Sequence, residues 1–404
     1  DLMFARMDYP FDDDDFAANV AAELTDVAER LRSHPSTTVI CGGSEIAQQV
    51  AMLGRDIDPD TLVGPRVQAQ VEALLPGVAF VDGTPTGGTH PFTVDVGFAH
   101  YFGVGGYRRA LSDARTSGVR FASECLAFSH VPCDEAVDEL LAGGHAVGDP
   151  AWAAGVPRDR ATPWDFEDVR DHYVRLLYGV DVVAVRSTDP EWYLDLGRAA
   201  GSTVLSTVLA EWRRPNSACG GAIILEGGDT RAGAGAGTVD HRGRPKPAYY
   251  ALARALAPVA LTLVDEGMNG LDVWAYNDSP EALDGTLVVE AFSSDALVAS
   301  RSVPLRVEAR SARRVRAEEV LGTFLDLTDA FRFGPNPLAG VVARWGPTEG
   351  EATEGEATEG DATDRGAADR GAADRDATDR GAADRGATDR GAADRGAADR
   401  GAAD

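Results

Sequence analysis

A chain of 404 residues with 44% hydrophobic composition is long enough to bury a sizeable core, and its length suggests two or three domains. A formal net charge of −27 would be repelled by a phosphate backbone, which excludes nucleic acid as a partner. Such acidity reads either as a solvating surface or as a halophilic-type adaptation, in which salt screens the self-repulsion of a hydrated carboxylate shell. Lys246 is the one lysine, so arginine carries nearly all the positive charge. Residues 347–404 hold 16 acidic and 8 arginine residues, a net −8, which leaves −19 for residues 1–346. Cys41, Cys125, Cys133 and Cys219 are too sparse for a disulfide framework, and they are expected as free, mostly buried thiols. His130 and Cys133 lack a second ligand pair at zinc spacing, so no metal is expected. No run approaches the roughly 18 apolar residues of a membrane span. The start at Asp1 has neither an initiator methionine nor a leader pattern and reads as the inside of a domain. Free thiols favour a cytoplasmic location.

Residues 1–257 alternate short apolar runs with amphipathic stretches, the pattern of β/α units. TTVICGG (37–43), VAFVDG (78–83), GVRFASE (118–124), VVAVRST (182–188) and GGAIILE (220–226) are predicted as buried strands. The stretches 16–34, 165–179 and 191–214 repeat apolar residues at helical spacing with acidic residues in the first turn, which predicts helices. From 258 to 346 the period changes to two. LDVWAYND, GTLVVEAFS, VASRSVPLRVEA and GTFLDLTD are predicted as half-buried strands of a small antiparallel, immunoglobulin-like sandwich. Residues 347–404 repeat every five residues with alanine as the apolar member, and too little apolar surface is available to order them.

Glu45 and Glu124 each close one of the predicted strands, in ICGGSE and GVRFASE. In a β/α barrel the C-terminal strand ends converge on one mouth. Two carboxylates meeting there suit glycosidic cleavage: one protonates the leaving oxygen while the other attacks the anomeric carbon. A glutamate at a strand end more commonly caps the next helix, so position alone leaves both readings open.

The surrounding residues carry a resemblance. RSHPSTTVICGGSE resembles the segment of glycoside hydrolase family 2 β-mannosidases in which His-Pro-Ser precedes a strand ending in Gly-Asn-Asn-Glu or a near variant. GVRFASECLAFSHVP is similar to that family's Arg-Phe-x-Ser-Glu-x-Gly-Phe-x-Ser-x-Pro segment. LMFARMDYP resembles the strand before the acid/base strand, and HYFGVGGY (100–107) the stretch between the two glutamates. GTVDHRGRPKPAYYALARALAPV (237–259) looks like the barrel exit. The resemblance implies a partial (β/α)8 TIM barrel lacking its first strands, then the sandwich and a disordered tail. It makes Glu45 the general acid/base and Glu124 the nucleophile of a retaining enzyme acting on terminal β-linked sugars, above all β-mannosides, with no cofactor. The acid would need burial or a neighbouring negative charge to stay protonated, and the nucleophile would need donors. Arg120, four residues before Glu124, is expected on the same side of that strand. His100 and Tyr101 are expected to donate to sugar hydroxyls.

Three departures stand out. Ser44 occupies the place of an asparagine that contacts the sugar, and can do so only with a shorter reach. Arg231 and Ala236 stand where the family carries tryptophan platforms, and Glu226 adds a third carboxylate nearby. GDTRAGAGAG lacks the lysine of a phosphate loop and reads as a flexible loop. The expected partners are a carbohydrate substrate and a separate N-terminal polypeptide completing the barrel. Two alternatives remain: a non-catalytic sugar-binding remnant, and a glycosidase for β-galactosides or β-glucuronides.

Overall fold

The computed structural model of the chain describes residues 1–55, 63–142, 144, 146, 148–159, 162–331, 333–334 and 336–346. The acidic repeat from residue 347 lies outside the described residues. The described part is mixed α/β with several sheets, and it contains no closed barrel.

Five short strands carry the first part: β1 (Val39–Cys41), β2 (Ala79–Val81), β3 (Ala99–Tyr101), β4 (Ala122–Cys125) and β5 (Ala222–Ile224). β1 and β2 pair in parallel, and β3, β4 and β5 form a second parallel sheet with β4 in the middle. Isolated bridges extend this order, Ser44 with Thr84 and Thr86 with Phe98. The opening residues lie beside β1 through Leu2 N to Cys41 O and Ser44 N to Phe4 O.

Between and around the strands run α1 (Asp14–Leu31), α2 (Ile46–Met52), α3 (Val63–Leu74), α4 (Asp113–Thr116), α5 (Asp134–Leu141), α6 (Pro150–Gly155), α7 (Phe166–Tyr178), α8 (Val182–Thr188), α9 (Pro190–Arg213) and α10 (Pro247–Ala255). Aspartates cap the starts of α1, α6, α7, α8 and α9. Asp165 and Asp168 make a reciprocal capping box on α7, and Gly179 ends that helix at φ 63°, a conformation glycine adopts without steric cost. The run 182–188, predicted as a strand, is helix α8 instead. Asp181 accepts from Val183 N and Ala184 N, and this N-cap outweighs the β-preference of a valine-rich run. Asp189 then caps α9, with Pro190 at its first position.

The antiparallel part holds β6 (Val259–Asp265), β7 (Leu271–Asn277), β8 (Leu283–Phe292), β9 (Leu297–Val307), β10 (Ser311–Arg316), α11 (Ala317–Leu321) and β11 (Gly340–Gly346). These strands form two three-stranded sheets, ordered β10-β7-β6 and β11-β8-β9. Leu271, Val273 and Ala275 of one sheet and Leu287, Val289, Leu305 and Val307 of the other share one apolar core. GTFLDLTD (322–329) is a loop rather than a strand. The Asp326 carboxylate accepts from Ala330 N and Phe331 N, and Thr328 Oγ1 donates to Gly267 O. Local side-chain bonds of this kind compete with a ladder.

The largest core gathers around β3 and β4, where Val169, Tyr173, Val204 and Val208 of α7 and α9 cover Ala99, Ala122 and Cys125. Charge is buried there as well. Arg170 is fully buried beside Glu167, Asp171 and the Tyr193 hydroxyl. Lys246, also fully buried, lies 2.5 Å from Asp229 Oδ2 and donates to His130 O at 3.0 Å. Burial, with Lys246 and Arg170 adding to it, pushes His130 down to about 3, so its ring is neutral. The Lys246–Asp229 pair ties the loop after β5 to the start of α10, and the bond to His130 O links both to the segment that follows β4. The two pieces of the chain also meet through ions: Arg115 of α4 contacts Glu211 of α9 and Glu266 at the β6–β7 turn, and Arg214 also reaches Glu266.

Removing one partner of a buried pair leaves an uncompensated charge, at a cost of about 3–5 kcal/mol. Lys246→Met, which keeps the side-chain volume, is therefore expected to lower the unfolding free energy by about that amount. The denaturant midpoint measures it, and a loss below about 1 kcal/mol would mean that water reaches the pair.

Candidate active site

The segment after β1 passes between two neighbours at close quarters. A Cβ at Gly42 would lie 2.4 Å from Asp82 O, and one at Gly43 would lie 2.7 Å from Phe4 O. Only glycine lets the backbone through. Glu45 follows with φ 59° and ψ 8°, a left-handed conformation that concentrates at functional sites. It stands at the N-cap of α2, yet its carboxylate makes no capping hydrogen bond. Oε1 instead accepts from Gln48 Nε2 at 3.1 Å and lies 3.0 Å from His100 Nδ1.

Glu124 projects from β4, and in the parallel ladder its partner on β3 is His100. Ser44 Oγ donates to Glu124 Oε1 at 2.8 Å, and His100 Nε2 lies 3.7 Å from the same oxygen. One imidazole, its side chain only 2% exposed, thus stands between the two carboxylates. The ring is held from behind: Nε2 is 3.0 Å from Thr84 Oγ1, which donates to Asp1 Oδ2 at 2.8 Å.

The structure brings together Glu45, Glu124, Ser44 and His100, and adds Gln48, Thr84 and Asp1, which the sequence reading did not single out. Gln48 was within reach of sequence reasoning, because residues three apart on a helix are neighbours. Thr84 and Asp1 lie 39 residues beyond and 44 residues before Glu45, and their signal lies in tertiary contact alone.

Tyr101 and Arg120 do not join this group. Tyr101 alternates to the other side of β3, buried against Trp212, and donates its hydroxyl to Asp113 Oδ2 at 2.8 Å. Arg120 is exposed and donates to Asp95 O at 3.2 Å. It precedes β4, and the register shifts between Ala122 and Cys125, so counting in twos from Glu124 fails. Ser44 reaches Glu124 rather than standing free. At the platform positions, Arg231 is exposed and bonds Ala154 O, while Ala236 is buried. Glu226 is exposed, and its carboxyl is pushed up by partial burial and by Asp229.

The electrostatics of Glu45 run opposite to the expectation for an acid. The hydrogen bond from His100 holds its carboxyl below the usual carboxylate range and outweighs desolvation. Asp1, His100 and Glu124 place ligand-type atoms within 4.8 Å of one another. Each of these side chains already has a protein hydrogen-bond partner, so the donor set reads as a hydrogen-bonded site rather than a metal centre. Both glutamates line a cleft of about 210 Å³ with Phe102, Tyr107, Asp159 and Leu225. It adjoins a larger one of about 730 Å³ that shares Glu45, Phe102, Tyr107 and Asp159. Together they leave room for a sugar and its leaving group. Among the described residues no helix is long and apolar enough to cross a membrane.

No family model matches the chain. A curated relative, β-mannosidase B of Aspergillus flavus, is 28% identical over 284 residues, covering 65% of this chain and 32% of the relative. β-Mannosidase B of Aspergillus niger matches with the same identity and coverage. Of solved structures, the β-D-mannosidase of Dictyoglomus thermophilum superposes with a TM-score of 0.58 at 20% identity, over 75% of this chain and 37% of that one. The Amycolatopsis orientalis exo-chitosanase gives 0.54 at 14%, over 82% and 39%. At these identities the structural likeness speaks for the fold alone. The chain spans about a third of the length of the curated relatives it matches. It is β-mannosidase-like, as the resemblance to family 2 implied.

Because its folded-state value is lowered, ionised Glu45 adds stability that is present above the ordinary carboxylate range and lost as pH falls through the folded value. The stability of the wild type relative to Glu45→Gln is expected to fall as pH is lowered from about 6 to about 3. Denaturant unfolding at a series of pH values measures it, and parallel curves would exclude the His100 contact.

Proposed function

We propose that the chain carries the catalytic centre of a retaining β-glycosidase, with terminal β-mannosides as its preferred substrates. The observation that supports this reading best is the meeting of Glu45 and Glu124 across one buried imidazole, in a cleft wide enough for a sugar. The names of the curated relatives support the choice of mannose.

In this reading residues 1–257 are the greater part of a (β/α)8 barrel. The parallel pairing of β1 with β2 and of β3, β4 and β5 supports it, as does the position of Glu45 and Glu124 towards the C-terminal ends of β1 and β4. Residues 258–346 are a separate sandwich, and the substrate is a carbohydrate. The activity belongs to a longer assembly, in which the polypeptide matching the remaining length of the relatives completes the barrel.

Glu124 attacks the anomeric carbon, aligned by the Ser44 hydroxyl. Glu45 protonates the leaving oxygen, then takes a proton from the water that releases the glycosyl-enzyme. Ser44 is committed to the nucleophile and tryptophan platforms are absent at 231 and 236, so sugar binding relies on polar contacts rather than stacking. Weak ground-state binding, seen as a high KM, follows.

The test is hydrolysis of 4-nitrophenyl β-mannoside in high salt, by this chain and by the chain with the polypeptide that precedes it. Glu124→Gln is expected to abolish turnover, and Glu45→Gln to lower it by about 10²–10⁴-fold. Full activity in Glu124→Gln would overturn the assignment. Turnover confined to β-galactosides or β-glucuronides would keep the chemistry and change the sugar.

A further inference from the structure

The hydrogen bonds around His100 fix more than its position. The Thr84 hydroxyl gives its single hydrogen to Asp1 Oδ2 at 2.8 Å, so towards the ring, 3.0 Å away, Thr84 Oγ1 can only accept. Nε2 must therefore carry a hydrogen, and Nδ1 is the one ring position left to gain or lose a proton. It faces Glu45 Oε1 at 3.0 Å. With both atoms bare, two lone pairs would confront each other. One proton between them converts that repulsion into a charge-assisted hydrogen bond.

We propose that His100 and Glu45 bind one proton as a unit, and that this shared proton is the one delivered to the leaving oxygen. The inference rests on the reading of Glu45 as the general acid. His100 is then a positioning residue that acts through Glu45 and does not itself touch substrate.

The groups facing the pair favour holding the proton. Glu124 lies 3.7 Å from Nε2, Asp1 stands behind Thr84, and Asp159 borders the cleft beside Glu45. In the adjoining cleft Arg109 is paired with Asp113 at 2.7 Å, and Tyr101 and Tyr107 are neutral at ordinary pH, since burial and neighbouring carboxylates raise both. A shared proton also reconciles a Glu45 held low by His100 with an acid that must hold a proton near neutrality, because in coupled sites the titration belongs to the pair.

The step balances. The bond between the anomeric carbon and the leaving oxygen breaks as Glu124 bonds to that carbon. The pair's proton passes through Glu45 to the leaving oxygen, which leaves a Glu45 carboxylate beside neutral His100. Water then adds its oxygen to the carbon, the bond to Glu124 breaks, and the water's proton returns to the pair.

Two measurements test this on the 404-residue chain. In ¹⁵N-histidine spectra, with the His100 signals identified by their loss in His100→Gln, Nε2 is expected to keep its hydrogen from about pH 5 to about pH 9 while Nδ1 alone titrates. Thr84→Val should release that fixed tautomer, and Glu45→Gln should make Nδ1 lose its proton at lower pH. This readout needs no turnover, so a preparation that stays inactive with the preceding polypeptide added would count against the glycosidase reading and leave the pair to be judged by its spectra. In the active preparation, His100→Gln should move the basic limb of kcat/KM for 4-nitrophenyl β-mannoside down by at least about one pH unit. A 2,4-dinitrophenyl β-mannoside, whose leaving group needs no proton, should lose less than about threefold. A hydrogen on Nδ1 with a bare Nε2, an Nδ1 indifferent to Glu45→Gln, or a His100→Gln profile superimposed on the wild type would each overturn the proposal.

Discussion

His100 stands between two carboxylates that arrive on separate strands, and this contact sets the demands on the rest of the fold. It requires β3 and β4 to be neighbours in the register that pairs His100 with Glu124. It requires the residues after β1 to run close enough for Glu45 to reach the same ring, which the Gly42–Gly43 pair permits. It also requires a support behind the ring, which Thr84 and Asp1 supply. An imidazole buried beside carboxylates must satisfy both nitrogens. The seven-residue group is thus one hydrogen-bonded unit rather than a set of independent side chains.

Much of this was legible in the sequence, for identifiable reasons. Long amphipathic helices such as α7 and α9 declare themselves through period and aspartate caps, and both lie within a few residues of the expected bounds. The valine run that became α8 and the apolar 322–329 loop misled, because in each case one aspartate's bonds to backbone N–H groups overrode the apolar pattern. At the site, the strand-end glutamates, Ser44 and His100 could be found from local motifs. Arg120 and Tyr101 were not placed correctly. Tyr101 directly follows His100 on β3 and so faces the opposite side by the same alternation. For Arg120, period-2 counting assumes a strand of regular register, and β4 is four residues long with a shift inside it. Asp1 and Thr84 contact the site only through tertiary folding, which no window of sequence contains.

The charge pattern, too, divides into two kinds. The net charge of −27 concerns the surface and the solvent. The internal ions are a different matter, because each is matched. Arg170 sits among Glu167, Asp171 and Tyr193, Lys246 beside Asp229, and Arg115 and Arg214 share Glu211 and Glu266. A guanidinium presents a planar fork of five donors that can meet two carboxylates edge-on, which suits it to these junctions. The one lysine occupies a site where a point charge has a single close carboxylate and two carbonyls as partners. High salt would screen the exposed acids far more than these buried pairs, so internal order and surface solvation respond separately to the same medium.

The lost platforms and the repurposed Ser44 belong to one argument about where binding energy acts. A tryptophan under a sugar stabilises ground state and transition state alike and lowers KM without raising kcat. At 231 and 236 this chain has an exposed arginine and a buried alanine instead. Ser44, in place of a longer amide, turns to Glu124, and His100 turns to Glu45. The polar groups that remain are directed at the two carboxylates that would exchange charge and protons with the substrate, and such interactions change during the reaction itself. A site built this way would bind its sugar loosely while keeping the chemistry intact. Its selectivity would come from the residues that wall the cleft, Phe102, Tyr107 and Asp159, more than from a stacking surface.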